Sequence, residues 1–424
     1  MKLTQLHELF LNHPKAFTDT RKIDGTGLFF ALKGPSFNGN AFAEQALEKG
    51  AAYAIVDEAA YAKDDRFILV DDALETLQQL AVHHRKQCKA RVIGLTGSNG
   101  KTTTKELIYA VLSATYRTIA TQGNLNNHIG VPLTLLTIKK DTEFAIIEMG
   151  ANHQGEIAFL SSLAQPDYGY ITNFGKAHLE GFGGVEGIIK GKSELYNYLT
   201  TNDRHVFLNA NDPIQLEKLA TYIKKFGYST SNHEYFKITL LGADPFVVLK
   251  AEDTVITTQL IGTYNFPNCC AAVLMGKYFS VPLTDIKKAI ENYVPENNRS
   301  QLIKKGDYHI TLDAYNANPT SMEAALQSFD TLDARTKVIF LGDMFELGEE
   351  AEKEHQRIAD LAMNKQFTMV FLVGENFAKT KTEALQFKSF ELLATHLKKH
   401  KIQDGHLLIK GSRGMAMERI LEYL

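Results

Sequence analysis

The chain has 424 residues, 44% apolar and 22% charged, which excludes collagen-like, disordered and disulfide-scaffold proteins. At about 150 residues per domain it has room for two to four domains. Forty-six Lys and Arg against 49 Asp and Glu leave a net charge of −3, no electrostatic footprint for a nucleic-acid partner.

The first 14 residues carry His7, Glu8 and His13 and lack the basic start and apolar core of a signal peptide. A strand is predicted at 28–32, a polar loop at 33–39, a helix at 41–49, a short strand at 54–56 and a helix at 74–88. That helix has Leu77, Leu80 and Ala81 on one face and a basic last turn suited to the helix dipole. A boundary falls near residue 88. Strands then follow at 91–95, 144–148, 170–172 and 206–208, a β-rich stretch at 235–262, and helices from 268 and from 283. A third segment begins near 300, with strands at 310–312, 338–341, 370–373 and 407–409. Repeated strand–helix alternation predicts an α/β protein of three domains, at 1–88, 89–299 and 300–424. The longest apolar runs are far too short to span a bilayer. Cys88, Cys269 and Cys270 form neither a disulfide framework nor a zinc pattern. A cytoplasmic chain without a membrane partner is expected.

The sharpest motif is Gly94-Leu95-Thr96-Gly97-Ser98-Asn99-Gly100-Lys101-Thr102-Thr103-Thr104, between a predicted strand and an amphipathic helix with Leu107, Ile108, Val111 and Leu112 inward. Glycines let backbone amides converge on phosphate oxygens, and the helix N-terminus adds its positive end. Lys101 is expected on the β- and γ-phosphates and the Thr102 hydroxyl on Mg²⁺. Standard spacing puts the first glycine at Leu95, and Gly97 stands instead. A Gly-rich turn that merely starts a helix is the alternative. Glu148 ends an apolar strand, where open α/β sheets place ligands, and a carboxylate there suits Mg²⁺. A solvated or ion-paired Glu is its rival reading. Taken singly, His178 reads as a loop histidine and Lys192 as a solvated helix charge.

Their order carries more. The run 96–103, then Gly123-Asn124-Leu125-Asn126-Asn127-His128-Ile129-Gly130, then Glu148-Met149-Gly150-Ala151, then 172–181 with His178, then Lys192, resembles the ATP-dependent Mur ligases of peptidoglycan synthesis. Asp313-Ala314-Tyr315-Asn316-Ala317-Asn318-Pro319, the stretch 341–348 and Lys410-Gly411-Ser412-Arg413 are similar to the member that adds D-alanyl-D-alanine. The resemblance implies a central P-loop domain, an N-terminal UDP-binding α/β domain and a C-terminal Rossmann-like domain. It also implies a monomer acting on UDP-N-acetylmuramoyl-tripeptide and D-alanyl-D-alanine.

ATP would then meet Gly97, Ser98, Asn99, Gly100, Lys101, Thr102 and Thr103, with Asn265 and Asn268 toward adenine and Arg299 and Asp313 closing from the domain junction. The family usually carries His where this chain has Tyr264. Two Mg²⁺ ions are implied, with Thr102, Glu148, His178 and Lys192 as metal-site residues and Lys192 as a carbamate. Lys101, His178 and Lys192 are the implied catalytic set. Thr20, Arg21, Gly34, Asn38, Asn124, Asn126, Asn127, Asn316 and Asn318 are the implied substrate contacts.

The residues around 318–323 also predict a helix start, with Pro319 in the first turn and Thr320 and Glu323 at capping-box spacing. Met322, Leu326 and Phe329 fall on its apolar face. Another Mur ligase or a folylpolyglutamate synthase-like ligase is the nearest rival, against which the Tyr315–Asn318 motif speaks. A nucleotide-driven switch or motor is the rival of another class. Such proteins usually end the second strand in Asp, and here it ends in Glu148.

Overall fold

Three sheets follow one another along the chain in the computed structural model, which describes residues 1–296, 298–402 and 404–424. The first has four parallel strands, in the order Ala16–Phe17, Leu28–Phe30, Tyr53–Val56 and Phe67–Leu69. Its middle strands are apolar at every position because both faces are covered. Leu28 and Phe30 pack with Leu6, Phe10 and Leu77 of the helices Leu3–Asn12 and Ala73–Gln87. Phe29, pointing the other way, packs with Ala43 and Ala46 of the helix Ala43–Glu48.

Asp72 caps the helix Ala73–Gln87 by accepting the Glu75 N–H at 2.7 Å. Its basic last turn does more than face a dipole. Arg85 is buried, donates to the carbonyls of Ala164 and Gln165, and pairs with Asp167 at 2.8 Å. His84 is buried too, with Nε2 2.8 Å from the Ile138 carbonyl oxygen. This helix therefore belongs to the packing of both the first and the second sheet.

The central sheet has nine strands, in the order Thr254–Ile261, Phe246–Ala251, Phe236–Ala243, Lys225–Ser229, His205–Asn209, Tyr168–Ile171, Arg91–Thr96, Phe144–Glu148 and Thr118–Ala120. The first three named, within the predicted β-rich stretch, pair antiparallel; the remaining neighbours run parallel. Arg91–Thr96 lies between Phe144–Glu148 and Tyr168–Ile171. The loops leaving these three strands thus share the C-terminal edge, where such sheets hold ligands.

The third sheet runs Gln301–Lys305, Tyr308–Asp313, Gly405–Lys410, Lys337–Gly342, Met369–Val373 and Leu385–Phe387, parallel except for its first pair. One local expectation is corrected here. The helix Pro319–Asp330 is capped by Asn318 with Ser321, not by Thr320 with Glu323. Pro319 takes the first helical position, so the extended residue before it is the cap. Thr320 is then inside the helix, and its hydroxyl oxygen accepts the Lys176 N–H at 2.9 Å. Glu323 pairs with Arg357 at 2.8 Å. Among the described residues no helix is long and apolar enough to cross a membrane.

Candidate active site

The strand Arg91–Thr96 turns through residues 97–100 into the helix Lys101–Ser113. The turn needs its glycines for space as well as for dihedral angles. Gly97 has φ +141 and Gly100 φ +78. A Cβ on Gly97 would lie 2.0 Å from Thr172 Oγ1, and one on Gly100 2.5 Å from Asn268 Oδ1. The loop is held open from below: Asn173 Oδ1 accepts the Asn99 N–H, and Thr172 Oγ1 donates to the Asn99 carbonyl. Lys101 folds back over it and donates to the carbonyls of Gly97 and Ser98 at 2.8 and 3.2 Å. Burial, with the Arg299 charge acting the same way, lowers the Lys101 ammonium from its ordinary range, against the pull of Glu148.

Glu148 is buried at 1% exposure. Its Oε1 accepts from Asn126 Nδ2 at 2.8 Å and from the Thr102 hydroxyl at 3.4 Å. Its Oε2 has no hydrogen-bond partner among the described residues, with Lys105 Nζ at 3.9 Å. A buried carboxylate oxygen left bare beside a hydroxyl and the phosphate loop suits a hard divalent cation. Nearby, the Thr104 hydroxyl donates to Asn268 Oδ1, and Asn268 Nδ2 donates to Asn265 Oδ1. Tyr264 places its hydroxyl 2.9 Å from Ser300 Oγ.

A cavity of about 1010 Å³ joins these groups to the third sheet. Ser98–Thr103, Asn124, Asn126, Asn127, Glu148, His178, Asn265, Asn268, Arg299, Asp313, Asn316 and Asn318 all line it. Two of the asparagines have structural work of their own. Asn127 Oδ1 accepts the N–H groups of Ile129 and Gly130 at the start of the helix Gly130–Leu135. Asn318 caps its helix while its Nδ2 donates to Asn99 Oδ1 at 2.7 Å, tying the phosphate loop to the third sheet. Asp313 accepts from Lys410 Nζ at 2.5 Å and from the Ser300 N–H at 3.2 Å. Arg299 sits 3.4 Å above the Tyr315 ring.

His178 is on the cavity wall, in a left-handed conformation at φ +56, with Nδ1 against Glu346. Lys192 is not on the wall. It is fully buried in the helix Val185–Thr201, 4.7 Å from the Phe182 ring, and donates to the carbonyl of Ala151, a wall residue, at 3.1 Å. Burial, reinforced by the Lys101 charge, drives its amine well below the lysine range.

The N-terminal candidates stand apart from this cavity. Thr20 donates to Gln45, Arg21 pairs with Asp19 at 2.8 Å, Asn38 donates to Glu58, and Gly34 lies in a small hairpin. Motif reading missed Lys105, which donates to the Thr121 carbonyl at 2.7 Å and faces Glu148. Its signal was the spacing of four from Lys101, one helical turn. Gln78, from the helix Ala73–Gln87, also reaches the wall.

A P-loop beside a bare carboxylate, on a cavity shared with the third sheet, is a site built for a nucleotide and a second group beside it. The chain belongs to the Mur ligase family: the Mur ligase catalytic domain matches residues 17–85, the middle domain 95–276 and the glutamate ligase domain 298–413. It is 37% identical to the UDP-N-acetylmuramoyl-tripeptide--D-alanyl-D-alanine ligase of Bacillus subtilis, over 96% of this chain and 92% of that protein. To the Escherichia coli enzyme of the same name it is 34% identical over the same shares. Among solved structures, MurF from Acinetobacter baumannii superposes with a TM-score of 0.84 at 31% identity, over 96% of this chain and 92% of that one. MurF from Thermotoga maritima in complex with ADP does so with a TM-score of 0.84 at 26% identity, over 97% of each.

Proposed function

We propose that this chain joins D-alanyl-D-alanine to UDP-N-acetylmuramoyl-tripeptide at the expense of ATP. One observation carries the reading: the phosphate loop and the Tyr315–Asn318 loop face one cavity and touch through Asn99 and Asn318, in a chain whose full-length relatives bear that name. A carboxylate oxygen of the tripeptide attacks the γ-phosphorus of ATP, ADP leaves, and an acyl phosphate forms. The neutral amine of the dipeptide attacks the acyl carbon, inorganic phosphate leaves with the C–O electron pair, and the amine gives up a proton.

The chain contributes positioning and charge. Lys101 and the loop amides hold the phosphates, and the walls exclude water from the acyl phosphate. Mg²⁺, held by Thr102 and Glu148 and at a second position by His178 with Lys192, would neutralise phosphate charge. Lys192 would serve there as a carbamate, whose formation needs the neutral amine that burial favours. Thr20, Arg21, Gly34 and Asn38 meet the UDP end of the substrate, far from the chemistry. The working units are 1–88, 89–299 and 300–424, in a monomer of the cytoplasm, where ATP and nucleotide-linked precursors are made.

Phosphate release tests this, measured with UDP-linked tripeptides ending in meso-diaminopimelate or L-lysine, with and without D-alanyl-D-alanine. Release that requires both substrates is expected. ATP hydrolysis indifferent to the dipeptide would overturn the reading.

A further inference from the structure

Strands Tyr308–Asp313 and Gly405–Lys410 pair in parallel with Asp313 opposite Lys410. The loops that follow them therefore leave the sheet side by side. Ser412 Oγ lies 3.5 Å from the Ala317 carbonyl oxygen, and Arg413 Nη1 lies 3.3 Å from the Tyr315 hydroxyl. Tyr315, a wall residue of the cavity, has two guanidinium groups at its ring: Arg299 at 3.4 Å and Arg413 at 5.1 Å. Among the described residues neither arginine is ion-paired. Nearby cations differ: Lys410 is held by Asp313 at 2.5 Å and Lys176 by Glu354 at 2.6 Å. Two like charges at one aromatic ring repel, and an anion placed beside them relieves that repulsion.

Resting on the ligase reading above, we propose that Arg413 binds the free carboxylate of the incoming dipeptide. It thereby makes the enzyme select a dipeptide with an unblocked C-terminus. The dipeptide is a zwitterion whose amine must reach the acyl carbon near the phosphate loop. Its carboxylate is then directed away from the phosphates, toward the Tyr315–Asn318 loop. Arg413 is exposed, has no ion pair among the described residues, and reaches that loop at the Tyr315 hydroxyl. Asn316 adds a second donor: its Oδ1 accepts the Ala317 N–H, which leaves Nδ2 free among the described residues. A planar guanidinium takes a carboxylate through two parallel hydrogen bonds, which a lysine cannot reproduce.

The test compares D-alanyl-D-alanine with its C-terminal amide in phosphate release by the wild type, Arg413→Ala and Arg413→Lys, with thermal melts confirming folding. The wild type should prefer the acid over the amide by about a hundredfold in kcat/KM, the scale of a lost charged hydrogen-bond pair. Arg413→Ala should lose about a hundredfold on the acid and treat acid and amide within about fivefold, with Arg413→Lys between. KM for ATP and for the UDP-linked substrate should stay within about twofold. A preference for the acid that survives in Arg413→Ala overturns the proposal. So does a rise in KM for ATP or the UDP-linked substrate with the dipeptide KM unchanged, which would assign Arg413 to a phosphate. A wild type that ignores the dipeptide sinks the ligase reading itself, an outcome separate from either.

Discussion

In the proposed function, Lys101 is the residue on which the phosphate chemistry turns. Its ammonium now rests on the Gly97 and Ser98 carbonyls, which a γ-phosphate would replace with a far stronger partner. Lys101→Ala should fold normally and lose at least about a thousandfold in kcat, given the charge stabilisation such groups supply. Near-normal turnover in the folded variant is the outcome that contradicts the ATP assignment. Lys192 is a different kind of lysine. Wholly buried, with the Ala151 carbonyl its one hydrogen-bond acceptor among the described residues, its amine is pushed below the ordinary lysine range by burial. Loading with ¹³C-labelled CO₂ should give a carbamate carbon resonance that Lys192→Ala lacks, and acetate or formate should restore part of that variant's activity. Full activity of Lys192→Ala in CO₂-depleted buffer would falsify the carbamate. Tyr264→Phe removes one hydrogen bond to Ser300. It should raise KM for ATP by about fivefold, the worth of one such bond, with a smaller change in kcat; an unchanged KM would separate Tyr264 from nucleotide binding.

At the scale of elements, the helix Leu3–Asn12 is fastened to the helix Ala73–Gln87 through histidines. His7 Nε2 and His84 Nδ1 are 3.0 Å apart, and His83 packs edge-on against His7. Burial first, then the charges of His84 and His83, lower His7 from 6.5 to about 4. Burial also holds His84 low. The unfolded chain takes up a proton near pH 6.5 and the folded chain only near pH 4, so acid favours unfolding progressively across that window. Above it the two states bind protons equally, and His7 adds no pH dependence to stability. Melting temperatures of wild type and His7→Gln between pH 7.5 and about 4 check this. The variant should lose stability less steeply, though not flatly, because His84 still titrates; identical slopes would refute the assignment to His7.

Across the whole molecule, polar contacts recur where the third sheet meets the second, beside an apolar strip that includes Leu179, Met344 and Leu347. Asn318 holds Asn99, Thr320 accepts from Lys176, Lys176 pairs with the buried Glu354, and His178 meets Glu346. Contacts of this kind are replaced by water at small cost, which suits an interface that opens and closes. Under the proposed function the acceptor and ATP surfaces lie on different units, so chemistry would need them together and exchange of substrates would need them apart. Small-angle scattering should show the radius of gyration falling when nucleotide and substrates are added. One value across all ligand states would count against such motion.

Much was legible in the sequence because it rests on local chemistry. Gly97, Gly100, Lys101 and Thr102 announce a phosphate loop through backbone needs that few other residues meet, and the strand Phe144–Glu148 shows itself by an apolar run ending in a carboxylate. Some strands of two or three residues, Ala16–Phe17 and Thr118–Ala120 among them, leave no signature in the sequence. They are too short for periodicity and are stabilised by their neighbours. The Pro319 signal marked the helix start, but spacing pointed to Thr320 where tertiary contact with Lys176 claims that hydroxyl. Side chains decided by distant partners lay beyond any local reading. Arg85 reads in the sequence as part of a basic last turn facing the helix dipole, yet it is buried and ties its helix to the loop at 164–167. Lys192 looked like a surface charge and is buried. Glu148 Oε2 is bare because of what packs around it, not because of its neighbours in the chain. The sequence by itself determined the strand–helix order, the phosphate loop and the family. Only the tertiary structure decided which charges are buried, which are paired and which stand free, because burial and pairing depend on residues more than a hundred positions apart, as Asn99 and Asn318 are.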